Sequence, residues 1–109
     1  MIAATMKKPI TDDPADWREK IDKIMDAFDF GKVRRVMEFL GWKWHTDDGM
    51  RVPEEPVIRA EARRLLIMAI SLGESGSIIS GGLEATRFEG DLSLSFEVEQ
   101  HTVYEQDEQ

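Results

Sequence analysis

The chain has 109 residues and a formal net charge of -8, with 41% hydrophobic and 33% charged residues. This length and balance are typical of one globular domain, and the negative charge argues against general affinity for nucleic acid or anionic membranes. Because the chain has no cysteine, a disulfide scaffold, a thiol nucleophile and a thiolate zinc site are excluded. We expect a single domain over 1–109, with disordered or frayed ends at 1–12 and 101–109.

No targeting or membrane-spanning segment is evident in the sequence. Residues 1–11 show no periodicity and contain no apolar run of the length found in signal peptides. A run of about 18 apolar residues, as a membrane helix needs, occurs nowhere in the chain. We therefore expect a cytoplasmic protein with no membrane partner.

The first two predicted helices are amphipathic. Asp13 as N-cap and Pro14 at the first helical position predict the start of the first helix. Its apolar face consists of Trp17, Ile21, Ile24, Met25 and Phe28. The second helix, in "FDFGKVRRVMEFLG", ends at Gly41, which suits a left-handed C-terminal cap. Its inward residues are Val33, Val36, Met37 and Leu40.

The segment "GWKWHTDDGM" combines two tryptophans with turn residues. Trp42 and Trp44 are two residues apart, so in an extended chain they point to one face, whereas Lys43 and His45 point to the other. We interpret the tryptophan pair as part of the core. The following "TDDG" is typical of a turn, because aspartate bonds its own backbone and glycine accepts a positive φ.

A longer helix is predicted from Pro53 or Pro56 to about Leu72. Its main apolar stripe consists of Ile58, Ala62, Leu65, Leu66 and Ala69. The run "LLIMAI" is apolar on every side, and a helix of this kind is normally covered on more than one side. Either the first helix covers it, which we favour, or a homo-oligomer forms through Ile67 and Ile70.

The last third of the chain predicts an antiparallel sheet. "GESGSIISGG" is interpreted as a flexible connection with a short strand at Ile78 and Ile79. The clearest strand alternates apolar with polar side chains: Leu92, Leu94, Phe96 and Val98 against Ser93, Ser95, Glu97 and Glu99. Its predicted partner is "GLEATRFE", joined through "GD".

Two registers of this hairpin are open. A two-residue turn places Leu83, Ala85 and Arg87 on the same face as the apolar residues of the second strand. A loop one residue longer places Phe88 inward and Arg87 outward, because a shift of one residue reverses every side chain.

These elements predict an α+β fold with two or three helices packed on one face of a small antiparallel sheet of three or four strands. The expected core joins the tryptophan pair and the sheet to the helices. Its residues are Trp42 or Trp44, Leu94, Phe96, Leu65, Leu66 and Val36.

The sequence shows no catalytic motif, and we expect a non-enzymatic protein with no metal and no cofactor. His45 with Asp47 and Asp48 could form a metal corner, but a site needs three or four ligands and Asp-Asp-Gly is ordinary turn material. Neither a nucleophile elbow nor a phosphate-binding glycine loop is present.

Two sets of residues are candidates for binding. Arg59 and Arg63 lie four apart, so they could fork onto a carboxylate or phosphate, and Trp44 could add stacking in a nucleotide site. His45 is a further candidate binding residue. The alternative is that Arg59 pairs with Glu55 along the helix.

The second candidate is acidic. Residues 65–109 carry one basic and nine acidic residues (1 - 9 = -8), whereas 32–64 carry eight and six (8 - 6 = +2). This layout is usually a solvated surface, but it also suits a basic partner. Glu97 and Glu99 on the last strand are its candidate residues.

The ordered motifs "FDFGKVRRVMEFLGWKW", "DDG" with "VP", "EARRLL" and "GGLEA" resemble a family of small proteins met in bacteriophage and prophage genomes. The resemblance covers residues 28 to about 99 and excludes the first helix. The family comes with no assigned reaction and no functional residues. The resemblance implies a phage-encoded accessory protein in the host cytoplasm.

Two functions are expected from these features. The leading hypothesis is a counter-defence inhibitor of the anti-CRISPR type, which binds a host defence protein through its acidic surface or its apolar helix patch. The second is an oligomeric sponge or accessory protein that binds a nucleotide signal through Arg59, Arg63 and an exposed tryptophan. Both are binding functions and neither needs a catalytic group.

Overall fold

A computed structural model of the chain describes residues 14–98 and 101–104. These residues form three helices and two antiparallel sheets, which confirms the predicted α+β class. The elements in chain order are α1 (Pro14–Ala27), α2 (Phe30–Leu40), β1 (Trp44–Thr46), β2 (Gly49–Arg51), α3 (Glu55–Ile70), β3 (Ser75–Ser80), β4 (Leu83–Phe88), β5 (Asp91–Val98) and β6 (His101–Tyr104).

The larger sheet has the order β3-β4-β5-β6, with every neighbouring pair antiparallel. The helices cover one face of this sheet, and the β1–β2 hairpin stands apart as a two-stranded sheet. The core between helices and sheet is entirely apolar, because the described part of the chain buries no polar or charged residue. Its largest fully buried side chains include Phe30, Phe96, Met37, Leu65, Leu66 and Leu94.

Helix α2 follows α1 after a short junction and is capped at both of its ends. The side chain of Asp29 accepts a hydrogen bond from the Lys32 N–H at 2.9 Å, which caps the start of α2. At its end, Gly41 takes the predicted left-handed conformation with φ of 69°. The rings of Phe28 and Phe30 pack edge to face at 4.9 Å. The predicted N-cap Asp13 lies outside the described residues.

Helix α3 is covered by α1 and by the sheet, as we favoured from the sequence. The whole predicted stripe is buried. Ile70 is also buried, with 3% of its surface exposed, whereas Ile67 is 49% exposed. The predicted oligomer interface through Ile67 and Ile70 is therefore wrong for Ile70, because this side chain belongs to the core.

Two segments are more regular than the sequence predicted, since the short strand expected at Ile78 and Ile79 extends over all of β3 and part of the expected frayed end is a strand. The connection "GESGSIISGG" contains all six residues of β3, and residues 101–104 of the expected frayed end form β6. In each case a neighbouring strand decides the conformation, since Val103 pairs with Phe96 and Ile78 pairs with Ala85. The ends 1–12 and 105–109 lie outside the described residues. The described residues form one core.

The β4–β5 hairpin has the first of the two predicted registers. Leu83 pairs with Phe96, and Arg87 with Leu92, so Arg87 lies on the face that the helices cover. The two-residue loop consists of Glu89 and Gly90 rather than Gly90 and Asp91. Moving the loop by one residue shifts the pairing of the strands by two residues, which leaves the faces unchanged.

Candidate functional site

The tryptophan pair joins the β1–β2 hairpin to the main sheet. The indole N–H groups of Trp42 and Trp44 both donate to the carbonyl oxygen of Gly81, each at 2.9 Å. Gly81 has φ of 61°, and a Cβ placed there would lie 2.4 Å from the Trp44 Nε1. Only glycine fits this position. Both indoles pack against the core and bond the Gly81 carbonyl, so their role is structural.

An open cleft of about 820 Å³ lies between the hairpin and the first half of α3. Trp44 and His45 line it on the hairpin side. The remaining lining residues include Lys43, Asp48, Arg51, Glu54, Val57, Glu61, Arg64 and Ser80. The cleft therefore combines one aromatic side chain with charges of both signs.

The guanidinium groups of the cleft are paired with carboxylates. Arg51 lies 3.2 Å from Asp48 and 3.7 Å from Glu54, and Arg64 lies 2.6 Å from Glu61. The hydrogen bond from Arg64 holds the pKa of Glu61 below its usual value of 4.5, against the raising effect of partial burial. An anion entering the cleft would have to compete with these carboxylates.

The structure separates Arg59 and Arg63 from the cleft. Arg59 pairs with Glu55 at 3.1 Å, as in the alternative considered from the sequence, and lies 4.7 Å above the ring of Phe30. Arg63 pairs with Asp22 of α1 at 3.3 Å. Neither arginine lines the cleft that holds Trp44, so the structure does not bring the predicted nucleotide-binding set together.

His45 and its neighbouring aspartates lie on the exposed side of the hairpin turn. In the ranges 14–98 and 101–104, no three of the side chains of His, Asp or Glu are grouped so as to hold a metal ion. A hydrogen bond within the turn stabilises it: the Thr46 hydroxyl donates to the Gly49 carbonyl at 2.7 Å.

The face of the main sheet opposite the helices is acidic and rich in hydroxyl groups. The residues of this face follow from the strand registers. Side chains alternate between the two faces of a sheet, and the buried side chains identify the face that the helices cover. Its residues are Ser75, Ser77, Ile79, Glu84, Thr86, Phe88, Asp91, Ser93, Ser95, Glu97 and Thr102. Among the strand residues described, this face has no lysine or arginine. Glu97 lies on it as predicted, whereas Glu99 lies outside the described residues.

Arg87 has a structural role that the sequence did not suggest. On the covered face of β4, its guanidinium donates to the carbonyl of Ile70 and, at 3.0 Å, to that of Glu89. The Ile70 carbonyl belongs to the last turn of α3, where backbone acceptors have no partner within the helix. The feature of the sequence that could have indicated this role is a single arginine at an inward-facing strand position.

Comparisons with protein-family models, curated proteins and solved structures find no match to this chain. The resemblance to a phage family thus stays a prediction from the sequence motifs. In the part of the chain that the structure describes, each helix is too short or too polar to cross a lipid bilayer.

Proposed function

We propose that the chain is a non-enzymatic binding protein that docks its acidic sheet face onto a basic surface of another macromolecule. The observation that carries this proposal is the charge of the sheet face opposite the helices. Glu84, Asp91 and Glu97 lie on it, and the one arginine of these strands, Arg87, points to the opposite face.

The chemistry of this face favours a rigid basic partner. The four-stranded sheet fixes the backbone positions of these carboxylates relative to one another, so the backbone does not have to become ordered when they bind. Serine and threonine hydroxyls between them can donate or accept hydrogen bonds at the interface. Two exposed apolar side chains, Ile79 and Phe88, supply contact area at its rim.

We further propose that the partner is a host defence protein that binds nucleic acid, and that the chain inhibits it. A surface that binds nucleic acid carries lysine and arginine for the phosphates, and an acidic protein can occupy it in place of nucleic acid. The resemblance of residues 28 to about 99 to phage proteins supports the biological setting. The proposed action is that of an anti-CRISPR inhibitor that mimics DNA.

Charge reversal tests the proposal. The double variant Glu84→Lys/Glu97→Lys changes the sheet face, whereas Glu19→Lys/Asp26→Lys makes the same change in net charge on exposed positions of α1. Bacterial cells with active CRISPR interference would express each protein, and transformation by a targeted plasmid would be counted. We expect the wild type and the α1 variant to restore transformation and the sheet variant to lose this effect.

The same proteins, immobilised, would capture partners from the host lysate for identification by mass spectrometry. A basic nucleic-acid-binding protein should be retained by the wild type and the α1 variant only. Equal retention by the sheet variant, at an unchanged thermal midpoint, would refute docking through the sheet face. A wild type that neither restores transformation nor retains such a protein would refute the inhibitor function.

The cleft favours a second candidate function, the binding of a nucleotide. Trp44 provides a ring for stacking, and Lys43, Arg51 and Arg64 provide cations at the same cleft. These residues replace Arg59 and Arg63 in the hypothesis. Thermal shift against cyclic and linear nucleotides tests it, since a ligand at 100 times its Kd adds about 2.7 kcal/mol. No shift with any nucleotide would exclude this function.

A further inference from the structure

Strand β3 forms one edge of the main sheet and has β4 as its only partner among the described strands. The Glu89 N–H donates to the Glu74 carbonyl, so Glu74 and Glu89 are a hydrogen-bonded pair of the β3–β4 ladder. Hydrogen-bonded pairs alternate with non-hydrogen-bonded pairs along an antiparallel ladder. Ser75, Ser77 and Ile79 therefore direct their N–H and C=O groups away from β4, toward the open edge.

This edge lacks the features that usually prevent pairing with another strand. Natural edge strands are commonly protected by charged side chains, by proline or by a bulge. The sequence of β3 is Ser-Gly-Ser-Ile-Ile-Ser, without charge or proline, and six consecutive residue pairs join it to β4. In a chain of net charge -8, β3 is a strand along which two copies can meet without opposing carboxylates.

We propose that a second copy of this chain pairs with β3 in antiparallel orientation about a two-fold axis through Ser77, which doubles the sheet. In this register Ser77 lies opposite Ser77 of the second copy, and Ser75 lies opposite Ile79. All outward-facing backbone groups of both strands then find partners. Three hydrogen-bonded pairs give about six hydrogen bonds, because each pair exchanges two.

The same register brings exposed apolar side chains of the two copies side by side on the acidic face. Ser75 pairs with Phe88 on β4, so Phe88, Ser75 and Ile79 of the second copy follow one another across the joined sheets. Phe88 is 60% exposed and Ile79 is 66% exposed. Because the serine between them is small, the two apolar side chains approach each other above it.

The opposite face gains an apolar contact as well. Leu72 is 44% exposed, and its Cδ1 lies 3.1 Å from the position of a Cβ on Gly76. Gly76 falls opposite Ile78 of the second copy in the proposed register, so Leu72 reaches that isoleucine. The interface is thus self-complementary on both faces, as a two-fold contact requires, which favours a second copy over an unrelated strand.

A single engineered cysteine tests the register directly, since the chain has no cysteine of its own. Directly opposed, hydrogen-bonded residues have Cα atoms about 5.5 Å apart, a distance that a disulfide spans. Ser77→Cys should give a disulfide-linked dimer under mild oxidation. Ser93→Cys is the matched control, because Ser93 lies in the same row of the sheet, two strands from the edge. It should stay a single chain on a non-reducing gel.

Solution mass tests the dimer without cross-linking. Light scattering should give the wild type twice the 12.5 kDa of one chain. Ser77→Lys places two ammonium groups opposite each other and should give the mass of one chain, whereas Ser93→Lys should keep the dimer. Both serines are exposed, so circular dichroism should show both variants folded.

Three results would overturn the proposal. These are a wild type with the mass of one chain at its highest soluble concentration, equal cross-linking of the two cysteine variants, and a Ser77→Lys variant that stays dimeric. The third result would place the dimer interface elsewhere on the molecule. None of these measurements depends on the proposed binding function.

Discussion

The shared carbonyl of Gly81 gives a quantitative prediction about stability, because Gly41 provides a matched control. Both residues have a left-handed backbone, with φ of 61° at Gly81 and 69° at Gly41. A Cβ at Gly41 meets nothing within 4 Å, whereas a Cβ at Gly81 falls 2.4 Å from the Trp44 Nε1. Replacing each glycine by alanine therefore separates the cost of the backbone from the cost of the close approach.

Gly41→Ala should cost about 1 kcal/mol, since a left-handed alanine costs about 1–2 kcal/mol and the stiffer unfolded chain offsets part of it. Gly81→Ala should carry the same cost and also displace the indole of Trp44. The hydrogen bonds of Trp42 and Trp44 to the Gly81 carbonyl are worth about 0.5–1.5 kcal/mol each. The expected total for Gly81→Ala is about 2–4 kcal/mol.

Urea denaturation followed by tryptophan fluorescence measures both variants. The emission of folded Gly81→Ala should also differ from that of the wild type, because the variant moves Trp44, whereas Gly41→Ala should leave the emission unchanged. Equal losses of unfolding free energy for the two variants would refute the reasoning. That result would mean that the indoles do not depend on the close approach of the Gly81 backbone.

Three further predictions follow from single contacts. Trp44→Phe should cost only about 1 kcal/mol in urea denaturation, because Trp42 still donates to the Gly81 carbonyl; a loss above about 3 kcal/mol would contradict this. Arg87→Met should cost about 1.5–3 kcal/mol, since it removes charged donors from the α3 C-terminus, and an unchanged thermal midpoint would refute that cap. The lowered pKa of Glu61 means that its ion pair contributes stability above the usual value of 4.5 and loses it as the pH falls through the folded-state pKa. Glu61→Gln should therefore flatten the dependence of unfolding free energy on pH below about 4.5, and an unchanged slope in acid urea titrations would argue against the Glu61 contact.

Local sequence patterns were sufficient for the elements that carry their own periodicity. The helical spacing of apolar residues predicted all three helices, and Gly41 marked the end of α2 because a left-handed cap favours glycine. The alternation along β5 predicted both its conformation and its buried face. These features depend on residues close in the chain, so the sequence alone determined them.

The strands β3 and β6 show where local patterns fail. β3 has two adjacent isoleucines among serines and glycine, and β6 has one buried residue that is described, Val103. Neither pattern distinguishes a strand from a loop. Their conformation comes from hydrogen bonds to β4 and β5, which are tertiary contacts.

The candidate site shows the same division. The sequence determined which charges occur and that the last third is acidic, since composition does not depend on folding. Only the tertiary structure decided that Arg59 and Arg63 pair with Glu55 and Asp22, away from Trp44. The direction of a side chain around a helix axis, and the element that packs against it, follow from how the helices lie on the sheet, and long-range packing sets that arrangement.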